Sequence, residues 1–205
     1  MKTQLRFYLF LLVLLITRIG QAATITVDGS DPTTTCTLAD AITAANTDSS
    51  SGRCVAGLGD DTINLETNVT LKAALPQIST VITIEGGGHF ISGNEARRVL
   101  SIIDTGNLTL NETTVKDGKV ATFSSSAYGG GILNSGTVTL NNSTISGNTA
   151  SASGVSFMLS TEANGGGICN WGGTVTLNNS MVSDNLASAS ADGQAYAMGG
   201  GLQCF

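Results

Sequence analysis

LTLNETTV at 108–115, VTLNNSTI at 138–145 and VTLNNSMV at 175–182 are three copies of one segment, and they decide the fold. The copies begin 30 and 37 residues apart, and each is followed by a glycine triplet, at Gly129–Gly131, Gly165–Gly167 and Gly199–Gly201. Repetition at this period is the signature of a solenoid. Apolar and polar residues alternate within each copy, which indicates strands rather than helices.

Residues that favour turns recur between these strands. Asparagine tolerates left-handed backbone geometry, and Ser-Gly-Asn or Ser-Asp-Asn favours a turn. Two corners are therefore predicted in each full copy, at 141–142 and 146–148 in one and at 178–179 and 183–185 in the next. Glycine triplets allow close backbone approach before a further short strand. The recurring order of strands, corners and glycine triplets predicts an all-β parallel β-helix. In this fold Asn142 is expected to stack on Asn179 as an asparagine ladder.

Three variable segments lie between the second corner and the glycine triplet, at 119–128, 150–164 and 186–198. In a stacked solenoid they emerge on one side, and insertions on one face often form the binding face. Four aromatic residues lie in them: Phe123, Tyr128, Phe157 and Tyr196. We expect either a binding face for sugar rings or protein, or Ala/Ser-rich loops that tuck these rings against the coils.

Composition restricts the partner. The 205 residues, enough for one domain, carry a net charge of −6 and only 9 Lys and Arg, which argues against nucleic acid. A membrane-surface helix would need a basic amphipathic stretch, and the sequence offers none.

The first 22 residues have the pattern of a secretory signal peptide. Lys2 and Arg6 precede a ten-residue apolar run at 7–16, and Gly20 and Ala22 supply the small residues that a signal peptidase reads. The alternative is an uncleaved anchor, but the run is shorter than the about 20 residues that span a bilayer. Cleavage after Ala22 and export to the cell surface, the outer membrane or the medium are predicted.

Export makes disulfides possible, and the four cysteines could form two pairs. Cys36 and Cys54 flank a short polar segment and are the favoured pair. Aligning the glycine triplets places Cys169 opposite Gln203, one position out of register with Cys204. A one-residue offset points side chains to opposite faces, so the second pair needs a bulge. No Cys-x-x-Cys spacing favours a metal site.

A short helix is predicted ahead of the first coil. Leu38, Ala41, Ile42 and Ala45 have helical spacing, and Thr37 can cap the N-terminus. A strand follows at 62–65. Because a solenoid exposes unpaired strand edges at its ends, this helix suits a capping role. The chain is divided accordingly into a signal peptide at 1–22, a cap at 23–65 and β-helix repeats at 66–205.

The cap segment resembles a known family. Its pattern of Cys-x-Leu-x-x-Ala-Ile-x-x-Ala-Asn, a later cysteine and Gly-x-Asp-Thr-Ile-x-Leu resembles the CSLREA-type N-terminal domain of secreted bacterial proteins. The matching residues are Cys36, Leu38, Ala41, Ile42, Ala45, Asn46, Cys54, Gly59, Asp61, Thr62, Ile63 and Leu65. Thr37, Ala39 and Asp40 depart from it, where the family has Ser, Arg and Glu.

The region that follows is similar to right-handed parallel β-helix proteins related to polymorphic outer membrane proteins. The stretch ITIEGGGHFISGNEARRVL at 82–100 and the GGGI or GGGL motifs carry this resemblance. The family has phenylalanine where this chain has Ile145 or Val182. The resemblance implies a right-handed coil and an envelope, adhesin-like or secreted surface protein without known catalysis. The expected partner of such a protein is a glycan or protein on a host or neighbouring cell.

Catalysis is the alternative to a binding role. Glycan-cleaving β-helices use paired carboxylates or an acidic calcium site. The acidic residues of the repeats share no one coil position, except that Asp117 and Asp184 both follow a strand. Asp60 and Asp61 are interpreted as turn residues, with a structural cation as the alternative; the Arg97-Arg98 pair is interpreted as a solvated loop. The expectation is a non-enzymatic binding protein; the alternative is a carbohydrate-active lyase or hydrolase whose catalytic residues lie outside this sequence.

The end of the sequence has its own expectation. Residues 199–205 open a coil, and a fourth VTLNN-like strand does not follow. We therefore expect a chain truncated within its repeats, which associates end to end through an open edge.

Overall fold

Successive turns of the chain stack on one another in a computed structural model, which describes residues 22–123, 126–154 and 160–204. Each full turn contributes one strand to each of three core sheets. Paired strands in all these sheets are parallel. The protein is therefore a parallel β-helix, as the repeats predict.

The first core sheet contains six strands, and its order in space follows the order of the chain. Its strands are β1 (Thr24–Val27), β2 (Asp61–Leu65), β4 (Val81–Glu85), β7 (Asn107–Asn111), β12 (Thr137–Asn141) and β17 (Thr174–Asn178). The second sheet consists of β3 (Val69–Thr70), β5 (Phe90–Ser92), β8 (Thr114–Lys116), β13 (Thr144–Ser146) and β18 (Met181–Ser183). The third consists of β6 (Leu100–Ile102), β11 (Ile132–Asn134), β16 (Ile168–Asn170) and β21 (Leu202–Cys204).

Like residues stack upon like residues inside the coil. Val138 lies between Leu108 and Val175 in the first sheet, and Leu140 lies between Leu110 and Leu177. Val138, Leu140, Leu108 and Leu110 are fully buried. A one-residue slip would turn each apolar row to the outside, so burial fixes the register.

Where the structure describes them, the three variable segments form regular strands, so the alternative of Ala/Ser-rich loops that tuck the aromatic rings against the coils was wrong. They contain β9 (Lys119–Phe123), β10 (Ala127–Tyr128), β14 (Thr149–Gly154), β15 (Thr161–Asn164), β19 (Leu186–Ala191) and β20 (Ala195–Met198). β9, β14 and β19 make one parallel sheet, and β10, β15 and β20 make another. We call these six strands together the fin.

Alanine holds the two layers of the fin together. Ala127, Ala150, Ala152 and Ala163 form a small buried cluster between the two sheets. Val120, Ala187 and Ala189 pack against it. Because methyl groups fill this interface, the two fin sheets lie close together, and the larger side chains point outward.

The corners have the predicted left-handed geometry, but the asparagine ladder is one residue earlier than predicted. Asn142 and Asn179 both have φ of 49°, which turns their side chains out of the stack. The ladder instead runs through Asn111, Asn141 and Asn178. Asn141 Nδ2 donates to Asn111 Oδ1, and Asn178 Nδ2 donates to Asn141 Oδ1, both at 2.8 Å.

A second asparagine stack lies inside the coil. Asn148, which is fully buried, accepts a hydrogen bond from the Gly118 backbone N–H at Oδ1 (2.8 Å). Its Nδ2 donates to Asn185 Oδ1 at 2.9 Å. These amides satisfy backbone groups at a corner that water does not reach, so the asparagines of the second corner are structural.

The helix α1 (Leu38–Thr47) covers the start of the stack. The Thr37 hydroxyl caps it by accepting from Asp40 N–H, and the predicted apolar face is buried: Leu38, Ala41, Ile42, Ala44 and Ala45. These residues join the same core as β1 and β2. Within the described residues, α1 and any other helix fall short of the length and apolarity needed to cross a bilayer.

Candidate binding surface

The two sheets of the fin divide the predicted aromatic residues between opposite faces. Val120 of β9 points into the alanine cluster. Side chains alternate between the two faces of a strand, so Phe123, three residues after Val120, points to the outer face of β9. Its side chain is 66% exposed. Ala163 and Ala127 point inward from the other sheet, so Tyr128 projects from the opposite, β10 side. The prediction of one shared aromatic face was therefore wrong.

Tyr128 and Tyr196 lie on the same face of the fin. Tyr196 is the register partner of Glu162, so the two side chains project side by side. The Tyr128 hydroxyl donates to Glu162 Oε2 at 3.4 Å. Tyr196 is 44% exposed and its hydroxyl donates to Gln194 Oε1 at 3.1 Å. Phe157, the fourth predicted residue, lies outside the described residues.

Trp171 extends this face beyond the fin. It follows β16, is 50% exposed, and contacts Tyr128 edge to face, with ring centroids 5.1 Å apart. Trp171, Tyr128, Glu162 and Tyr196 thus form one continuous surface, which we call the tyrosine face. It combines exposed aromatic rings with one carboxylate, a combination that binds ligands with apolar faces and hydroxyl groups.

Arg98 supports the tyrosine face from beneath. Its Nη2 donates to the Tyr128 carbonyl oxygen at 2.8 Å, and its Nε donates to the Gly129 carbonyl oxygen at 3.0 Å. Burial lowers the pKa of the Arg98 guanidinium, and interaction with Cys169 opposes that shift. Arg97 binds the Leu71 carbonyl oxygen at 2.8 Å. The interpretation of this pair as a solvated loop was wrong, because both arginines join neighbouring coils.

The two aspartates considered for a cation differ in their surroundings. Asp60 is exposed, whereas Asp61 is 1% exposed. Asp61 Oδ1 accepts backbone N–H groups from Leu58 at 2.7 Å and Ala23 at 3.1 Å. In the described part of the chain, no three His, Cys, Asp or Glu side chains are grouped so as to hold a metal ion.

Three other acidic residues of the repeats occupy corners. Glu112, Asp117 and Asp184 have φ of 47°, 51° and 55°, so they take the same left-handed role as Asn142. Asp117 Oδ2 accepts from the Ser92 hydroxyl at 3.1 Å and pairs with Lys116 at 3.4 Å. Acidic residues therefore recur after strands because the corners there need residues that favour turns.

The favoured cysteine pair is bonded. Cys36 and Cys54 form a disulfide across 18 residues, which joins the N-terminal end of α1 to the loop before β2. Register places Cys169 opposite Gln203 and Cys204 opposite Asn170, as the aligned triplets predict. The disulfide fits a protein that folds in an oxidising compartment.

Two residues of the tyrosine face, Trp171 and Glu162, were not among the binding residues predicted from the sequence. Trp171 lies outside the variable segments, in the turn after β16, and only the fold brings its ring against Tyr128. Glu162 lies inside the second variable segment, where the prediction considered aromatic residues alone. The signal that was available is composition, because Trp171 is the single tryptophan of the chain and follows a repeated asparagine.

No protein-family model, curated protein or solved structure matches this chain. Function is therefore inferred from the side chains of the tyrosine face and from the compartment that the disulfide indicates.

Proposed function

We propose that this protein is an exported β-helix module that binds cell-surface glycans through the tyrosine face. The observation that carries the proposal is the contact of half-exposed Trp171 with Tyr128, beside the carboxylate of Glu162. The partner is a host or neighbouring-cell glycan, and the role is adhesion rather than catalysis.

The chemistry of the face favours sugars. The C–H faces of a pyranose ring pack well against exposed aromatic rings, and Trp171 and Tyr196 present such rings. The Glu162 carboxylate can accept hydrogen bonds from sugar hydroxyls. The stack of parallel strands beneath holds these groups on a rigid surface, which limits the entropy lost on binding.

Three observations support the cellular setting. The Cys36–Cys54 disulfide supports export, and the signal-peptide pattern at 1–22 supports the same route. The resemblance to CSLREA-type domains and to polymorphic outer membrane proteins supports a place at the bacterial cell surface or outer membrane.

Binding to a panel of immobilised cell-surface oligosaccharides tests the proposal. We expect Trp171→Ala and Tyr196→Ser each to weaken binding at least tenfold, while Phe123→Ser, on the opposite face of the fin, leaves it unchanged. Circular dichroism of each variant checks that the sheets remain folded.

Three outcomes would count against the proposal. Equal losses for Tyr196→Ser and Phe123→Ser would remove the link to the tyrosine face. Binding only to a purified protein partner would assign the face to protein recognition. Release of new reducing ends or unsaturated products from a bound glycan would favour the lyase or hydrolase alternative.

A further inference from the structure

The buried carboxylate of Asp61 lies beside Ala23, the residue that would become the N-terminus after signal-peptide cleavage. Asp61 is 1% exposed and begins β2, and its Oδ1 lies 3.1 Å from the backbone nitrogen of Ala23. Its Oδ2 is buried and has no hydrogen-bond partner among the described residues. An ionised carboxylate with an unpaired oxygen is costly to bury, so a further positive or donating group is expected there.

The sequence predicts cleavage at this position for an unrelated reason. Gly20 and Ala22 supply the small residues that a signal peptidase reads, which makes Ala23 the first residue of the processed chain. Hydrolysis breaks the bond between the Ala22 carbonyl carbon and the Ala23 nitrogen. The hydroxyl of water goes to Ala22 and its other hydrogen to Ala23, which gives a carboxylic acid and an amine. At neutral pH the acid on Ala22 releases its proton and the amine of Ala23 takes one up to become an α-ammonium.

We propose that Asp61 is the binding site for the processed N-terminus, and that the α-ammonium of Ala23 forms a buried ion pair with it. The 3.1 Å separation of the two atoms is already that of a charge-assisted hydrogen bond. An ammonium has three donors where the amide has one. It can therefore serve Oδ2 as well as Oδ1 and neutralise the buried charge.

The surroundings hold both partners in place. The Ala23 carbonyl oxygen accepts from Thr62 N–H at 2.9 Å, so Ala23 is fixed in register beside β2. Leu58 N–H binds Asp61 Oδ1 from the preceding loop. At Gly57, an added Cβ would lie 2.5 Å from Asp61 Oδ2, so this glycine leaves the space that the carboxylate occupies.

The pair couples processing to stability. Before cleavage, Ala23 offers Asp61 a neutral amide; after cleavage, it offers a charge and two more donors. The cap therefore becomes fully stable only in the processed chain, which also forms the Cys36–Cys54 disulfide.

A double-mutant cycle tests the pair. Chains 23–205 and 22–205 are prepared by removing a fusion partner without leaving extra residues, since one added residue moves the amine by about 3.8 Å. Urea unfolding is measured for each chain with Asp61 and with Asp61→Asn. We expect the equilibrium constant for unfolding to be at least tenfold larger for 22–205 than for 23–205. This difference should vanish when both chains carry Asp61→Asn.

Asp60→Asn is the matched control, because this neighbouring carboxylate is exposed. It should leave the tenfold difference unchanged. Equal unfolding constants for 22–205 and 23–205 with Asp61 present would overturn the proposal, as would a difference that persists in Asp61→Asn.

A second measurement needs no variant of Asp61. Acylation of the α-amine by an amine-reactive reagent should be at least tenfold slower in folded 23–205 than in folded 22–205, and the lysines should react equally in both. Equal α-amine rates would contradict the ion pair. N-terminal sequencing of the exported protein should begin at Ala23, and a start at any other residue would also overturn it.

Discussion

The buried amide of Asn148 is the residue on which the second corner depends. Its Oδ1 accepts from Gly118 N–H, and its Nδ2 donates to the Val115 carbonyl oxygen at 3.2 Å and to Asn185. Asn148→Leu leaves buried backbone groups without partners, each at a cost of about 1–3 kcal/mol. We expect the free energy of unfolding in urea to fall by about 2–4 kcal/mol.

Asn141→Leu is the control for that prediction. Asn141 belongs to the outer ladder and is half-buried, so water can replace its lost hydrogen bonds. The expected loss is below about 1 kcal/mol. An equal loss at the two positions would show that the inner stack has no special role.

The corner residue Asn142 tests backbone geometry separately from hydrogen bonding. Its φ is 49°, and its side chain is exposed. A β-branched residue at positive φ is strained, so Asn142→Val should reduce the free energy of unfolding by about 1–2 kcal/mol, whereas Asn142→Gly should not. Calorimetry of the two variants distinguishes them, and full tolerance of valine would contradict the left-handed corner.

At the scale of strands, the repeats allowed prediction of the core but not of the fin. VTLNN carries large apolar residues at alternate positions, so its inward face is evident from sequence. TASASG in β14 and LASASA in β19 also alternate at period two. Alanine and serine differ little in hydrophobicity, so this alternation does not show which face is buried. The alanine face is buried only because the second sheet of the fin packs against it.

The same reason explains the error in the aromatic face. Phe123 and Tyr196 lie in equivalent variable segments of the sequence. They belong to two different sheets of the fin, however, and the sheet determines the face on which each ring lies. The Ala-Ser alternation contained this information, because residues beside inward alanines at odd spacing must point outward.

A larger residue inside the fin should separate its two sheets. Ala163 is fully buried in the alanine cluster, so Ala163→Leu overpacks it and costs about 1–3 kcal/mol. Hydrogen exchange should accelerate at the amides of β14 and β15 while the three core sheets stay protected. Ser151→Leu, on the outer face of β14, is the control, and equal acceleration in that variant would argue against alanine packing.

The disulfide should stabilise the cap. Loss of the bridge by Cys36→Ser removes a constraint on the unfolded chain, and we expect a decrease of about 2–4 kcal/mol in the free energy of unfolding. Reductant should produce the same decrease in the unaltered protein and no further change in Cys36→Ser. A reductant effect of equal size in both proteins would assign it to another site.

At the scale of several turns, the last turn that the structure describes is more exposed than the turns beneath it. Leu177 is 41% exposed, although its register partners Leu140 and Leu110 are fully buried. Met181 and Leu186, on strands of the same turn, are 57% and 54% exposed. An unpaired strand edge with exposed apolar residues is a template for association.

We therefore expect the processed chain, residues 23–205, to associate in a concentration-dependent manner. Met181→Lys places a charge on the edge strand β18 and should shift sedimentation toward monomer. Val55→Lys is the control, because Val55 is 58% exposed but lies in the cap segment. Monomeric sedimentation of the unaltered chain at high concentration would contradict the prediction.

Trp171 reports directly on the central claim, that the tyrosine face binds glycan, because it is the single tryptophan of the chain. The measurement is its fluorescence during titration with a glycan retained from the oligosaccharide panel. We predict a blue shift and protection from acrylamide quenching, with the same midpoint as binding and no change in Phe123→Ser. Saturating binding that leaves both the emission and the quenching of Trp171 unchanged would contradict the claim.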